Sequence, residues 1–415
     1  MKSVLKIESL GSQGDGVAES EKGRVFVPFA LPGEIVAVGA TTVSGLPVLD
    51  GPPSPERVEP ACRHFGSCGG CALQHLDNKP YLAWKRQKVI DALANRSIEV
   101  DVDKIEPIEP ATRRRALFSA RMTDNGPLLG YMQAGSNVIA DIAECPILVP
   151  SISGNLGRLR ELVKVVGPTR AVFRMIVTAC ATGLDVALEN CGDRTDALRR
   201  RLSGFAISRG LSRIAADGEV LVSPDEPRIF FGDVAVIPPP GGFLQACPET
   251  EAAMAEVVSG HLRPAKRVID LFSGCGAFAL RLAKSSIVHA VESDRASLDA
   301  LDHGFRFAVG LKSVTTERRD LMRRPVTANE LAAYDGLIFD PPRAGAEAQA
   351  RQIAKSDVPN VAAVSCNPGT LARDLRILID GGYRLHGVTP FDQFLWSPHV
   401  EAVALLSKPK RRQRR

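Results

Sequence analysis

The hydrophobic rhythm of the chain changes more than once along its length. Between residues 4 and 49 short apolar runs alternate with Gly-rich turns, as in V-L-K-I-E-S-L, G-S-Q-G-D-G and R-V-F-V-P-F-A-L-P-G-E-I-V-A-V, a pattern that predicts a small all-β barrel. The Pro-rich stretch G-P-P-S-P-E-R-V-E-P at 51–60 interrupts it and marks a boundary. Trp84, Val89, Ile90 and Leu93 then recur at helical spacing, predicting a helix over Lys79 to Leu93. From about 98 to 240 strand-like and helix-like segments mix in an α+β region without an interpretable motif. From about 264 the apolar runs R-V-I-D-L-F, I-V-H-A-V-E, Y-D-G-L-I-F-D and N-V-A-A-V-S alternate with helical stretches, which predicts an α/β sheet of mainly parallel strands. Two closing runs, Tyr383 to Thr389 and Val400 to Leu406, suit an antiparallel hairpin.

Composition narrows the class without naming a function. At 415 residues two or three domains are expected, and 45% hydrophobic with 24% charged residues excludes wholesale disorder. No apolar stretch approaches the ~20 residues of a membrane span, and Met1 to Leu10 lacks the apolar core of a signal peptide, so a cytoplasmic protein with no membrane partner is expected. The net charge of +5 is mildly basic; the terminal run K-P-K-R-R-Q-R-R suits a phosphate-contacting arm and equally a solubilising tail. Nine cysteines, an odd number without an export signal, point to metal binding or catalysis before disulfides.

After R-V-I-D-L-F the chain turns through S-G-C-G-A-F into a helix, the arrangement of a nucleotide-type site at the end of a first strand. Gly274 and Gly276 allow close backbone approach, and Glu292, ending the second strand, can accept both hydroxyls of a ribose. A dinucleotide-binding oxidoreductase is the competing reading; against it, no third glycine follows near Leu280 and D-P-P-R follows the fourth strand at Asp340. Cys366, in S-C-N-P-G-T-L, precedes a Pro-Gly turn and a helix, where the helix N-terminus and nearby cations favour a thiolate nucleophile; a small buried hydrophobe is the alternative. Glu401, in S-P-H-V-E-A-V-A-L-L, enters an otherwise apolar strand, where a carboxylate is costly without a task or a partner; a salt-bridged edge residue is the alternative.

The D-L-F-S-G-C-G turn resembles that of class I S-adenosylmethionine-dependent methyltransferases. Together, Cys366, Glu401 and the D-P-P-R of Asp340 to Arg343 resemble the RNA 5-methyluridine methyltransferases, in the subgroup that modifies 23S ribosomal RNA and carries a TRAM domain and an iron-sulfur cluster. The resemblance implies that Cys366 adds to carbon 6 of uracil and that Glu401 removes the carbon 5 proton. It implies cofactor contacts at Gln245, Phe272, Gly274, Gly276, Glu292, Asp320 and Asp340, and uridine contacts at Phe243, Asp340 and Arg343; Phe243 and Gln245 match the family's F-x-Q segment. Ala277 stands where relatives often have Asn, and Ala246-Cys247 replaces a Val/Thr-Asn pair, departures that remove polar contacts to the cofactor.

Cys62, Cys68 and Cys71 have C-x5-C-x2-C spacing, and Gly66, Gly69 and Gly70 let their loop wrap around one inorganic centre. The resemblance supplies a fourth ligand at Cys145 in A-E-C-P and implies a 4Fe-4S cluster, with zinc as the other occupant that spacing allows. Cys180, Cys191, Cys247 and Cys275 read as ordinary small residues, and His64 and His75 as non-ligands.

The expected organisation is an OB-like TRAM barrel over 1–55, carried by L-G-S-Q-G-D-G-V-A and V-F-V-P-F-A-L-P-G-E, and a central region with the cluster over 56–240. A class I, Rossmann-like methyltransferase domain over 241–408 and a basic tail over 409–415 complete it. Phe26, Phe29 and Arg113 to Arg115 are candidate RNA contacts, with core packing and a solvated turn as the alternatives. The expected substrate is RNA, 23S ribosomal RNA by resemblance, with the uridine unstacked to reach the thiol. A monomer without an obligate protein partner is expected. A transfer-RNA uridine methyltransferase, an amino-directed methyltransferase using D-P-P-R as its polar clamp, and a non-catalytic RNA-binding protein remain the alternatives.

Overall fold

The computed structural model describes residues 4–41, 45–169, 171–192 and 195–409, so the basic tail expected at 409–415 lies outside the described residues from Lys410 onward. The chain divides into two compact units, one of residues 1–84, 109–225 and 394–398 and one of 85–108, 226–393 and 399–415.

In the first unit six short strands, β1 (Val4–Lys6), β2 (Ser9–Leu10), β3 (Gly16–Ser20), β4 (Gly23–Val27), β5 (Ile35–Thr41) and β6 (Pro47–Leu49), form two three-stranded sheets, β1-β5-β6 and β2-β3-β4. Ala18 of β3 and Val36 of β5 pack with Ile7 and Ala30 of the connecting segments in one small core. The Pro-rich stretch that follows carries Arg57, whose guanidinium makes two bonds, at 2.5 and 2.7 Å, to the fully buried Glu34 carboxylate. Helix α1 (Asn78–Ala94) follows and covers the expected helix.

The rest of the first unit is a seven-stranded sheet built from β7 (Arg115–Thr123), β8 (Gly126–Met132), β9 (Ile139–Asp141), β10 (Phe173–Cys180), β11 (Gly183–Glu189), β12 (Leu211–Ala216) and β13 (Glu219–Val222), in the order β13-β12-β11-β10-β7-β8-β9. Helices α2 (Pro150–Ser153), α3 (Leu156–Val166) and α4 (Asp196–Arg209) connect its strands. Leu159, Leu162 and Val163 of α3 and Leu202 and Phe205 of α4 join Phe118, Phe173 and Ile214 of the strands in one core. The α4 crossover is what allows β11 and β12 to pair in parallel. It starts on the Thr195 hydroxyl, which accepts from the Leu198 N–H, and stops at Gly210 with φ 61°.

Beyond residues 85–108, the second unit contains the hairpin β14 (Ile229–Phe231) and β15 (Val234–Val236) and helix α5 (Pro248–Leu262). There follow β16 (Arg267–Leu271), α6 (Ala279–Leu282), β17 (Ile287–Glu292), α7 (Arg295–Phe307), β18 (Val314–Arg318), α8 (Ala328–Leu331), β19 (Gly336–Phe339), α9 (Glu347–Lys355), β20 (Asn360–Ser365), α10 (Pro368–Asp380), β21 (Arg384–Phe391) and β22 (Glu401–Ser407). The sheet order is β18-β17-β16-β19-β20-β22-β21, parallel up to β20, with β22 antiparallel to both of its neighbours. Strands such as Leu337, Ile338 and Phe339 read as unbroken apolar runs because both of their faces are covered. Chain order reverses between β16 and β19, and the crevice at the carboxyl ends of such strands is where an open α/β sheet takes its ligand. Among the described residues no helix is long and apolar enough to cross a membrane.

Candidate active site

The residues expected to serve methyl transfer gather in the second unit, around the carboxyl ends of β16, β17, β19 and β20. Past β16 the backbone reverses through Phe272 (φ 64°), Gly274 (φ 52°) and Gly276 (φ 95°). The left-handed conformation at a non-glycine residue costs about 1–3 kcal/mol, and such costs concentrate at ligand sites. The Phe272 and Ser273 N–H groups donate to the Val291 carbonyl at 2.9 and 3.2 Å, tying the turn to β17. A Cβ on Gly276 would stand 2.9 Å from the Leu301 side chain, so that position admits only glycine. The partly exposed Glu292 carboxylate accepts from the N–H groups of Gly274 (3.1 Å), Ser293 (2.6 Å) and Asp294 (2.9 Å). Asp320, exposed beyond β18, accepts from the Met322 N–H at 3.0 Å.

Beneath this turn Asp270 is fully buried, and neither of its carboxylate oxygens nor the Ser273 hydroxyl has a hydrogen-bond partner among the described residues. Burial first, then the charges of Asp340 and Glu292, push the Asp270 carboxyl well above the ordinary range, with the nearby Ala279 N–H, beyond ideal hydrogen-bond geometry, acting in the opposite direction. Asp270, Asp340 and Glu292 lie close enough to act on one another, and such a group of acids fits a cationic ligand, as S-adenosylmethionine is.

Asp340 follows β19 and accepts from Gln245 Nε2 at 2.9 Å. Burial pushes it up to about 7, with the Gln245 bond acting in the opposite direction. Glu401 is 2% exposed at the start of β22. Because β22 lies between β20 and β21, Glu401 is not the salt-bridged edge residue weighed as the alternative. Gln393 connects the two acids: its Nε2 donates to Gln245 Oε1 at 2.8 Å and to Glu401 Oε2 at 3.0 Å. Burial and the Asp340 charge raise Glu401 well above its usual value.

Cys366 follows β20 by one residue, and pairing of Ser365 with Ala402 sets it across from Glu401. Its surroundings differ from the expected thiolate-favouring turn. Burial, then the charges of Glu401 and Asp340, push the thiol up to about 11, while Arg343 acts in the lowering direction. The helix N-terminus beyond is satisfied by Asn367, whose side chain accepts from the Gly369 N–H. Arg343 is exposed and its Nη2 lies 3.3 Å from His399 Nδ1. Phe243 is 72% exposed and presents its ring to solvent.

The four cysteines lie in the first unit and line one cavity with Gln74, Tyr131 and Ile142, with about 350 Å³ of empty space that includes open solvent. The bridge from Arg63 to Glu144 (3.2 Å) and the bond from the Ala143 N–H to His64 Nε2 (2.9 Å) hold the two cysteine-bearing loops together. Burial, with the neighbouring thiols adding to it, raises Cys71 to about 12 and Cys145 to about 11. No group of three or more His, Cys, Asp or Glu among the described residues is arranged to hold a metal ion. His64 is thus engaged with backbone, and His75, fully buried, packs against the rings of Phe29 and Phe65.

Of the RNA-contact candidates, Phe26 is 58% exposed whereas Phe29 joins that aromatic cluster, and Arg114 is buried in β7's approach rather than displayed in a solvated turn. Asp270 and Gln393 were not foreseen. The signal for Asp270 was in plain view, an acid in the apolar run R-V-I-D-L-F, the same oddity that singled out Glu401; Gln393, in a polar loop, carries none.

Residues 240–409 match the family described as tRNA (Uracil-5-)-methyltransferase. An uncharacterized RNA methyltransferase of Mesorhizobium japonicum is 54% identical over the whole of both chains. The 23S rRNA (uracil(1939)-C(5))-methyltransferase of Halomonas elongata is 33% identical over 98% of this chain and 89% of its own. The fold is that of the Pyrococcus abyssi tRNA (uracil-54, C5)-methyltransferase, with a TM-score of 0.75 at 23% identity over 97% of this chain and 99% of that one. With full-length relatives at these identities, the chain belongs to the family of S-adenosylmethionine-dependent RNA uracil-5-methyltransferases.

Proposed function

We propose that this enzyme methylates carbon 5 of a uridine in 23S ribosomal RNA, with Cys366 as the nucleophile and Glu401 as the general base. The convergence of Cys366, Glu401 and Asp340 at neighbouring strand ends carries the reading: strand pairing sets Cys366 across from Glu401, and the amides of Gln393 and Gln245 join Glu401 to Asp340. The thiolate of Cys366 adds to carbon 6, and the electron pair moves to carbon 5. S-adenosylmethionine supplies the electrophilic methyl group that carbon 5 takes. Glu401 then accepts the carbon 5 proton, and the carbon 5–carbon 6 double bond reforms as the thiolate leaves. Asp270, Glu292, Gln245, Phe272, Gly274, Gly276, Asp320 and Asp340 hold the methyl donor; Phe243, Asp340 and Arg343 hold the uridine. Arg343 also opposes the rise of the Cys366 thiol, so it favours the thiolate.

The assignment to 23S ribosomal RNA rests on likeness to the Halomonas enzyme. Transfer RNA is the second reading, favoured by the description of the matching family. In this proposal residues 1–55 form a TRAM-type barrel, 56–240 a central region and 241–408 the methyltransferase domain, and the protein acts as a cytoplasmic monomer. Cys62, Cys68, Cys71 and Cys145, which line one cavity, would hold an iron-sulfur cluster; four thiols in one cavity suit that centre, with zinc as the other occupant. The cluster orders the two loops, since methyl transfer moves no net electrons.

Mapping 5-methyluridine in ribosomal and transfer RNA from cells with and without the gene tests both reaction and target. Loss of one 23S position is expected. Loss confined to transfer RNA would reassign the substrate, and an unchanged map would sink the proposal.

A further inference from the structure

We propose that Gln393 is a positioning residue for the second half of the reaction, holding Glu401 ready to accept a proton and joining it through Gln245 to Asp340. The inference rests on Glu401 being the general base. Gln393 is 1% exposed, and both hydrogens of its amide nitrogen are committed, one to Gln245 Oε1 and one to Glu401 Oε2. Two acceptors on one side fix which end of the amide is nitrogen. Gln245 Nε2 completes the line to Asp340. The buried Glu401 carboxylate and the half-buried Asp340 carboxylate are thereby bridged by two amides, each of which donates to the acid at its end.

The backbone at Gln393 is anchored as firmly as its side chain. Its carbonyl accepts from the Cys247 thiol at 3.5 Å, and the preceding Asp392 N–H donates to the Glu106 carbonyl at 2.9 Å. The Asp392 carboxylate is paired with the Lys85 ammonium, both fully enclosed. A residue held this way has little freedom to reorient, so the carboxylate it bonds is also held in place. Gln393 Oε1 is buried without a partner among the described residues.

The groups that act on Glu401 come from each element around it. Asp340 beyond β19 raises it, Cys366 beyond β20 interacts with it, and Gln393 beyond β21 lowers it, while Arg343 acts on Cys366. The Gln393 bond therefore favours the ionised Glu401 that can accept a proton. Without that donor the carboxyl needs a higher pH to ionise, by about one unit for a hydrogen bond to a charged group.

The test is single-turnover reaction of the full-length protein with its RNA, following adduct formation and adduct breakdown separately over a range of pH. Gln393→Met keeps volume and removes the donor; Gln393→Leu removes it with a smaller apolar side chain, and serves if the first variant loses S-adenosylmethionine binding. For either variant, adduct formation within a few-fold of wild type is expected, with breakdown slowed roughly tenfold and its ascending pH limb moved up by about one unit. Equal losses in both steps with an unmoved limb would reveal a merely structural residue and overturn the inference. Wild-type breakdown would overturn it as well. Glu401→Gln, measured alongside, separates the two readings: normal release from that variant removes the base assignment itself, whereas trapping by Glu401→Gln with normal release by the Gln393 variants refutes only the role of Gln393.

Discussion

Burial and two facing carboxylates hold the Cys366 thiol near 11, so roughly one molecule in ten thousand carries the thiolate at neutral pH before RNA binds. Alkylation of the Cys366 peptide by iodoacetamide, followed by mass spectrometry, should accordingly be slow at neutral pH and rise with a midpoint near 11. A midpoint at the ordinary thiol value would contradict this environment. Cys366→Ser should form no covalent complex with 5-fluorouridine RNA on a denaturing gel and should lose roughly three orders of magnitude or more in rate. For Glu401→Gln the expected product is methylated RNA that stays attached to the protein. Asp270 presents orphaned acceptors beneath the glycine turn, and Asp270→Asn should weaken S-adenosylmethionine binding by about tenfold or more in calorimetry, the worth of one charge-assisted hydrogen bond.

At the scale of elements, the position of a strand decides what its first residue can do. Glu401 would be an ordinary solvated carboxylate on an outer strand; in β22, paired on both sides, it has no water to ionise into and its chemistry depends on Gln393 and Asp340. The cysteine loop is organised by the opposite logic. Its thiols are raised by burial and by one another, so each is held in the neutral form until an inorganic centre takes up the thiolates. Cys71→Ser should abolish iron and sulfide in anaerobically purified protein. One equivalent of zinc in the wild type, with neither iron nor sulfide, would refute the cluster.

For the whole molecule, stability at low pH should follow Glu34. Burial raises its carboxyl, but the bonds from Arg57 and from the Leu31 and Ser54 N–H groups outweigh burial and leave it lowered. A lowered carboxyl contributes stability that is present above its unfolded value and is lost as pH falls through the folded one. In denaturant titrations Glu34→Gln should cost about 3 kcal/mol at neutral pH by leaving Arg57 without its partner, and the gap to wild type should close in acid. A gap that persists unchanged at low pH would exclude the ion pair as its source. The sequence by itself determined the parallel sheet, its closing hairpin, the glycine turn of the cofactor site and the family, because unbroken apolar runs and residues out of keeping with their neighbours, Cys366 and Glu401 among them, are local signals. Only the tertiary structure decided the protonation of Cys366, where enclosure overrides the helix N-terminus that sequence reasoning relied on, and only it brought in Gln393. An amide in a polar loop has no signature until the fold carries it to within hydrogen-bonding distance of Gln245 and Glu401, residues 148 and 8 positions away along the chain.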